Sequence, residues 1–346
     1  MQPRVTFVVP CYNYGRFLAQ AIDSLLGQTL TDLEIIAIDD ASIDDTAVVL
    51  AAYATESRVR VVRHERNQGH IRSYNEGLEL ARGQYLGILS ADDFCWRTDA
   101  VERQVALFEQ HPAVAMVYSA HVMLAPDAPP ALVLPFAYDA VRHGIEEFRS
   151  LMWGNYVLHS GTLLRREVQA ALGPYDPTLP QSGDWDLWLR AAAAHDIGYL
   201  AEALYAYRQH PTNMQHKGLL PAAQADQNWR TLQKAFAALP AEAPRELWLA
   251  RPAALNHALL QTAWFDLHNG RYGRAWQGAG YALRRSRAVA ASGELWRFLT
   301  RLCLLTLLGP GAHQAVLGRH GRLRCQPNLN SGATASHPLH GEAGEA

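Results

Sequence analysis

The sequence predicts an α/β protein with a mostly parallel sheet covered by helices on both faces, followed by a helical C-terminal region. Through the first 120 residues, short unbroken apolar runs alternate with segments of helical period. Such runs between helices are the pattern of βαβ units, whose strands are buried on both sides. From about residue 221 the chain reads as helix after helix.

The elements follow in order. "VTFVV" (Val5–Val9) is a β-branched strand closed by Pro10. "RFLAQAIDSLLGQ" sets Phe17, Leu18, Ala21, Ile22, Leu25 and Leu26 along one helical stripe. "LEIIAI" (Leu33–Ile38) is a strand ending in Asp39-Asp40, "DTAVVLAAYA" a helix, and "VRVVRH" a strand ending near His64. "IRSYNEGLELA" is a helix with Gly83 as its expected C-cap. The strand "YLGIL" (Tyr85–Leu89) runs into Asp92-Asp93, and a helix "AVERQVALFEQ" and a strand "VAMVYS" come next. Residues 121–150 are less regular, with a Pro-rich excursion "APDAPPALVLP". "DWDLWLRAAAAH" is a helix whose Trp185, Trp188 and Leu189 form a core stripe, and "YLAEALYAYRQH" is extended.

This order constrains the polar residues. In open α/β sheets, ligands bind outside the carboxyl ends of the strands. "VVPCYNYG", "IDDAS", "RHERNQGH" and "LSADD" all lie at such ends, so one sheet edge gathers a Tyr-Asn turn, two acid pairs and a Gly-containing loop. Adjacent carboxylates such as Asp92 and Asp93 suit a solvated turn, or a hard cation that takes one or two carboxylates plus phosphate oxygens. Asp39 and Asp40 are the same signal again. Asp44 or Ser42 is better placed to cap the following helix, which leaves Asp39 and Asp40 free to meet a base or ribose.

Composition narrows the classes. A net charge of −2 gives no general pull toward nucleic acid. Four scattered cysteines form no CxxC pair, which points away from a disulfide framework or structural zinc and toward a reducing compartment. "MQPRVTFVVP" reads as a strand, not as the apolar core of a signal peptide, and no run approaches the ~20 apolar residues of a membrane span. A cytoplasmic location is expected.

Several of these motifs stand in the order seen in one family. "VVPCYNYGRFLAQAIDSLLGQTLTDLEIIAIDDAS", "NQGHIRSYNEGLELARGQYLGILSADD" and "GTLLRREVQAALGPYDPTLPQSGDWDLWLRAA" together resemble the family 2 glycosyltransferases of GT-A fold, the inverting enzymes of bacterial surface polysaccharides, over roughly residues 4–215. The chain departs from that pattern at Ser90, where the family often has Asp, and at Ser182-Gly183, where a Glu often precedes the base.

The resemblance implies roles. Pro10, Tyr12 and Asn13 would line the nucleobase pocket, and Asp39 or Asp40 would accept from uracil or ribose. Arg72 would approach phosphate or base, Asp92 would contact ribose or sugar, and Asp93, with His210 of "YRQH", would hold Mn²⁺ or Mg²⁺. Asp184 would be the general base, although at a helix start it also fits a capping role; Asp186 is the weaker candidate. The implied partners are a nucleotide-diphosphate sugar, most simply a UDP-sugar, and a saccharide or lipid-linked acceptor. A catalytically degenerate sugar-nucleotide-binding module is the alternative; a sugar-phosphate nucleotidyltransferase would need a Gly-rich basic loop that "PCYNYGRF" does not supply.

The expected division is a GT-A domain over 1–220, helices over 221–325 and a disordered polar tail over 326–346. Between Arg271 and Arg324 arginines face a single acid, Glu294, and "ELWRFLTRLCLLTLL" is strongly apolar. That helix suits the core of a small bundle, or an interfacial position at the inner face of an anionic membrane. Nothing in it matches a nucleic-acid surface.

Overall fold

The computed structural model describes residues 2–213 and 220–308. β1 (Val5–Cys11), α1 (Gly15–Leu26), β2 (Leu33–Asp39), α2 (Thr46–Ala51), β3 (Val59–Arg63), α3 (His70–Leu80) and β4 (Tyr85–Ile88) alternate as the sequence predicts. There follow β5 (Phe94–Cys95), α4 (Ala100–Gln110), β6 (Val114–Leu124), β7 (Ala131–Val133), β8 (Ala140–Arg142) and α5 (Gly144–Leu151). The next elements are β9 (Leu163–Arg165), α6 (Arg166–Leu172), α7 (Gly183–Ala194) and β10 (Asp196–Arg208). The described chain closes with α8 (Pro221–Ala238), α9 (Arg245–His268), α10 (Tyr272–Arg285), α11 (Arg287–Ala290) and α12 (Gly293–Leu308). The stretch 121–150, expected to be less regular, thus carries the end of β6, two short strands and most of a helix.

The strands form one sheet in the order β3-β2-β1-β4-β9-β6-β10-β5, with β7 beside β6 and β8 beside β10. β3, β2, β1 and β4 are mutually parallel, as are β6 and β10. β9 runs antiparallel between β4 and β6, and β5 antiparallel to β10. β1 sits centrally because both its faces are apolar. Val5, Phe7 and Val9 pack with Leu18, Ile22 and Phe108 on one side, and Val8 packs with Ile71 and Trp188 on the other. Its register, Cys11 opposite Asp39 and Val8 opposite Ile88, brings the carboxyl ends of β1, β2 and β4 to one edge.

Gly83 does not cap α3. That helix ends at Leu80 with an extended Ala81, and a Cβ on Gly83 would lie 2.5 Å from the Thr6 backbone nitrogen. The glycine lets the chain pass close over β1.

The helices after residue 220 share the core of the sheet. Leu232 and Phe236 of α8, and Leu247, Ala254 and Ala258 of α9, belong to the same buried cluster as Val8, Tyr74 and Trp188. α8 also grips the segment that leads into α7. Gln227 Oε1 accepts the Gln181 N–H at 2.9 Å, the Ser182 and Thr231 hydroxyls are 2.9 Å apart, and Lys234 Nζ lies 3.0 Å from Asp186 and from Asp176. From α9, Gln261 donates to the Trp153 carbonyl at 3.1 Å.

α12 is apolar on two faces. Phe298, Leu302 and Leu305 are buried against Ala263, Leu267 and Ala275 of α9 and α10. Trp296, Leu304 and Leu307 are 61%, 53% and 84% exposed. Part of the arginine excess is neutralised inside the bundle, where Arg271 and Arg274 face Asp266 and Arg285 faces Asp226. No described helix is long and apolar enough to cross a membrane. Arg319, Arg322, Arg324 and the expected tail 326–346 lie outside the described residues.

Candidate active site

A cavity of about 450 Å³ opens at the carboxyl edge of the sheet. Its wall includes Pro10, Tyr12 and Tyr14 from the end of β1, Asp40 after β2, Gly69, His70 and Tyr74 at the start of α3, and Ser90, Asp92 and Asp93 after β4. His159, Gly183, Asp184, Tyr207 and Asn213 complete it from the other side. Asp40, Asp92, Asp93 and Asp184, four acids from two loops and the start of a helix, therefore share one chamber.

Asn13 and Asp39 stand behind that wall. Asn13 adopts a left-handed φ of 59°, receives Ile43 N–H on its Oδ1 at 2.9 Å, and donates its own N–H to Ser42 Oγ at 2.9 Å. It pins the loop after β1 to the loop after β2. Asp39 is fully buried, accepts Ser42 N–H at 2.8 Å, and has the Arg63 guanidinium 3.2 Å from its Oδ2. Asp44, not either acid of the pair, receives the Thr46 N–H that opens α2.

Asp40 is the member of the pair that reaches the cavity. Its Oδ1 accepts Gln68 N–H at 2.7 Å and lies 2.7 Å from His64 Nδ1; its Oδ2 accepts Gly69 N–H at 2.8 Å. Gly69 has φ +88°, a conformation in which most side chains are strained, and this turns its N–H onto the carboxylate. Arg72, expected near phosphate or base, is exposed on α3 and absent from the cavity wall.

Asp92 and Asp93 are both buried. Asp92 Oδ2 lies 3.1 Å from His210 Nε2 and accepts from Asn213 Nδ2 at 3.1 Å. Asp93 Oδ1 accepts the Arg208 N–H at 3.0 Å, and its Oδ2 takes a very short bond from Ser160 Oγ. Burial, reinforced by the neighbouring Asp92, pushes the Asp93 carboxyl well above the usual carboxylate range. The loop after β10 thus closes over the acid pair. His210 is placed differently from its expected role: its Nε2 meets Asp92, and its Nδ1 lies 2.8 Å from Thr212 Oγ1.

A divalent cation fits here. The donors are hard carboxylate oxygens, and the charge on Asp93 is poorly compensated by its surroundings. Among the described residues no three His, Cys, Asp or Glu side chains cluster to hold a metal by themselves. Mg²⁺ and Mn²⁺ sites of the substrate-phosphate type need only one or two carboxylates.

Asp184 is the second residue of α7. The N-cap position is Ser182, so Asp184 is not the cap. Its Oδ1 accepts the Trp185 N–H at 2.7 Å and its Oδ2 the Asn155 amide at 2.8 Å. Burial raises its carboxyl to about 6, against the pull of those two donors. Asp186, by contrast, is fully buried and paired with Arg190 at 2.8 Å and Lys234 at 3.0 Å. Trp185 and Trp188 are core, as their spacing predicts.

Several wall residues carried no assignment in the sequence. Tyr74 and His159 of the wall meet edge to face at 5.0 Å, and behind them Tyr175 packs edge to face on His159 and tilted on Tyr74, each at 5.5 Å. Burial, with His70 nearby, brings His159 down to about 3, so it is neutral. His64 had a visible signal, its place at a strand end; Asn155, in an unpatterned loop, had none.

The profile of glycosyl transferase family 2 matches residues 6–168, which includes Asp40, Asp92 and Asp93 but stops before Asp184. The chain is 27% identical over 218 residues to the chondroitin synthase of Escherichia coli, 63% of this chain but only 30% of that protein. It is 26% identical over 189 residues to a PGL/p-HBAD biosynthesis glycosyltransferase of Mycobacterium bovis, covering 54% of this chain and 69% of the relative. Among solved structures, S. aureus TarS residues 1–349 with UDP-GlcNAc superposes with a TM-score of 0.65 at 17% identity, over 83% of this chain and 81% of that one. The mannosyltransferase PcManGT of Pyrobaculum calidifontis, with GDP-Man and Mn²⁺, gives a TM-score of 0.50 at 19% identity, over 88% and 87%. The sheet order, the acid-lined edge and these matches agree: residues 6–168 belong to glycosyl transferase family 2, on a GT-A-like fold.

Proposed function

We propose that the chain is an inverting transferase that moves a sugar from a UDP-sugar to a hydroxyl of a saccharide or lipid-linked acceptor. The observation that carries this reading is the single cavity shared by Asp40, Asp93 and Asp184. Asp40 offers an acceptor oxygen suited to a nucleobase N–H, and Tyr12, 39% exposed, a ring face at the mouth. The UDP-GlcNAc bound by TarS supports the choice of donor. Asp93, with Asp92 beside it, would hold Mn²⁺ or Mg²⁺, which would supply positive charge to the diphosphate leaving group.

The chain's own residues perform the remainder. Asp184, with a pKa of about 6, is mostly ionised at neutral pH yet still basic, the range suited to a general base. It takes the proton of the acceptor hydroxyl as that oxygen bonds to the anomeric carbon. The bond from that carbon to the β-phosphate oxygen breaks, and its electron pair leaves with UDP. Attack opposite the leaving group inverts the centre through an oxocarbenium-like transition state. His210 and Asn213 orient Asp92, and Tyr74 with neutral His159 forms the apolar wall beside Asp184.

We place the GT-A unit within 1–220 and read the exposed α12 face, with Arg297 at its rim, as a contact with anionic lipid at the inner membrane surface. A panel of UDP- and GDP-sugars, screened by thermal shift with and without Mn²⁺, tests the donor. Stabilisation by a nucleotide sugar without donor hydrolysis or transfer would leave a degenerate binding module as the better description, and stabilisation by none would overturn the donor reading.

A further inference from the structure

Behind the Asp40 carboxylate stands a histidine that sugar transfer itself does not use. His64 follows β3, is buried, and holds each ring nitrogen 2.7 Å from a carboxylate oxygen: Nδ1 from Asp40 Oδ1 and Nε2 from Glu76 Oε2. A neutral imidazole has one N–H and satisfies one of these acceptors; the imidazolium has two and satisfies both. The charged groups around the ring are Asp40 from the loop after β2, Glu76 from α3, and the Asp39–Arg63 pair at the ends of β2 and β3. His64 N–H also donates to the Asp39 carbonyl at 2.9 Å. Burial opposes a charged ring, but the two carboxylates outweigh it and lift the His64 pKa above the usual histidine value.

The acceptor count on Asp40 gives this clamp a purpose. Two carboxylate oxygens offer about four acceptor positions. Gln68 N–H and His64 occupy Oδ1, and Gly69 N–H occupies one position on Oδ2. One position remains, on Oδ2 of a residue that lines the cavity.

We propose that His64 is a positioning residue for donor binding: as an imidazolium bridging Asp40 and Glu76, it fixes the remaining Oδ2 acceptor of Asp40 for the nucleobase and ties donor affinity to pH. The inference rests on the UDP-sugar reading above. Loss of the His64 proton leaves one carboxylate without its donor and removes the positive charge behind the base site. Affinity is therefore full below the raised His64 pKa and declines as pH rises through it.

The test is calorimetry of UDP with Mg²⁺ on the full chain from about pH 6 to about pH 9, on wild type, His64→Gln and Glu76→Gln. Wild type is expected to lose roughly tenfold in affinity across that range, the worth of one charge-assisted hydrogen bond. His64→Gln should start weaker and lack this decline, and Glu76→Gln, which removes one supporting carboxylate, should move it to lower pH. Comparing proteins on one ligand cancels titration of the ligand's own phosphate. If His64→Gln does not fold, Glu76→Gln decides alone. A decline unchanged in Glu76→Gln overturns the role of His64 and leaves the donor reading standing. Failure of UDP to bind wild type at every pH overturns the donor reading instead, and this inference with it.

Discussion

The side-chain amide of Asn155 donates to Asp184 Oδ2 at 2.8 Å. A loop residue from the far side of α5 thereby holds one oxygen of the proposed base, while the Trp185 N–H at 2.7 Å holds the other. Each donor favours the ionised form and works against the burial that lifts the carboxyl to about 6.

Asp184→Asn removes the proton acceptor and keeps the shape. Transfer should fall by roughly 10²–10⁴-fold, the usual worth of a general base. Affinity for UDP should stay within a few-fold, because Asp40 and Asp93 lie on other loops. Turnover measured beside UDP affinity checks this, and near-normal turnover would refute the base assignment.

The same variant has a stability signature. A carboxyl near 6 in the fold and about 3.9 when unfolded costs stability as pH rises between those values, and the cost is complete above the folded pKa. Asp184→Asn should therefore be more stable than wild type at pH 8, by on the order of 1–2 kcal/mol given that the group faces an open cavity, and gain less at pH 5. Denaturant melts at the two pH values read it directly.

Asn155→Ala withdraws a donor from the ionised base and should move the acid limb of the rate profile to higher pH. Near pH 6 turnover should drop roughly 3- to 10-fold, and near pH 8 it should lie within about twofold of wild type. An equal loss at both pH values would mean that Asn155 serves only the loop's shape.

Asp93 is raised by burial and by Asp92, so its charge opposes folding until a cation arrives. Asp93→Asn should abolish the Mn²⁺ dependence of UDP binding while its Tm without metal, at pH 8, equals or exceeds that of wild type. Retained Mn²⁺-dependent affinity in calorimetry would make Asp93 an ordinary turn residue.

The two faces of α12 should separate by mutation. Phe298→Ala, in the bundle core, should cost about 3–5 kcal/mol. Trp296→Gln with Leu307→Gln, on the exposed face, should leave the melt nearly unchanged and weaken binding to anionic liposomes. Undiminished liposome binding by the double variant would remove α12 from the membrane contact.

What the sequence reveals here follows from how local each determinant is. Strands buried on both faces announce themselves by composition, and parallel strands put all their carboxyl ends on one side, so the pairs Asp39-Asp40 and Asp92-Asp93 can be gathered from sequence, whereas Asp184, at a helix start, is reached only through the family resemblance. The choice between Asp39 and Asp40 could not be made locally. Register makes Asp39 the last paired residue of β2 and leaves Asp40 to the turn, and the partners that decide its use, Gln68 and Gly69, arrive from the loop after β3. Arg72 matched a motif position, but the turn of α3 carries it to solvent. Gly83 has the composition of a helix stop and serves a close passage over Thr6 instead, because only the packed sheet shows what a Cβ would meet. Asn155 has neither period nor motif, and its role exists only once α5 and α7 are packed.

The grip of α8 and α9 on residues 153 and 181–186 limits how this protein can be recombined. A chimera joined near residue 220, with the later helices taken from a relative, would inherit Gln181, Ser182 and Asp186 from one parent and their partners Gln227, Thr231 and Lys234 from another. Such a swap is expected to spare nucleotide binding and spoil transfer, because the mismatch falls on the Asp184 side of the cavity. A junction in the turn near residue 270, after α9, keeps every one of those pairs within a single parent and exchanges α10 to α12 alone. The first boundary thus divides pairs beside Asp184, and the second instead divides Asp266 from Arg271 and Arg274, and Asp226 from Arg285, within the helical bundle.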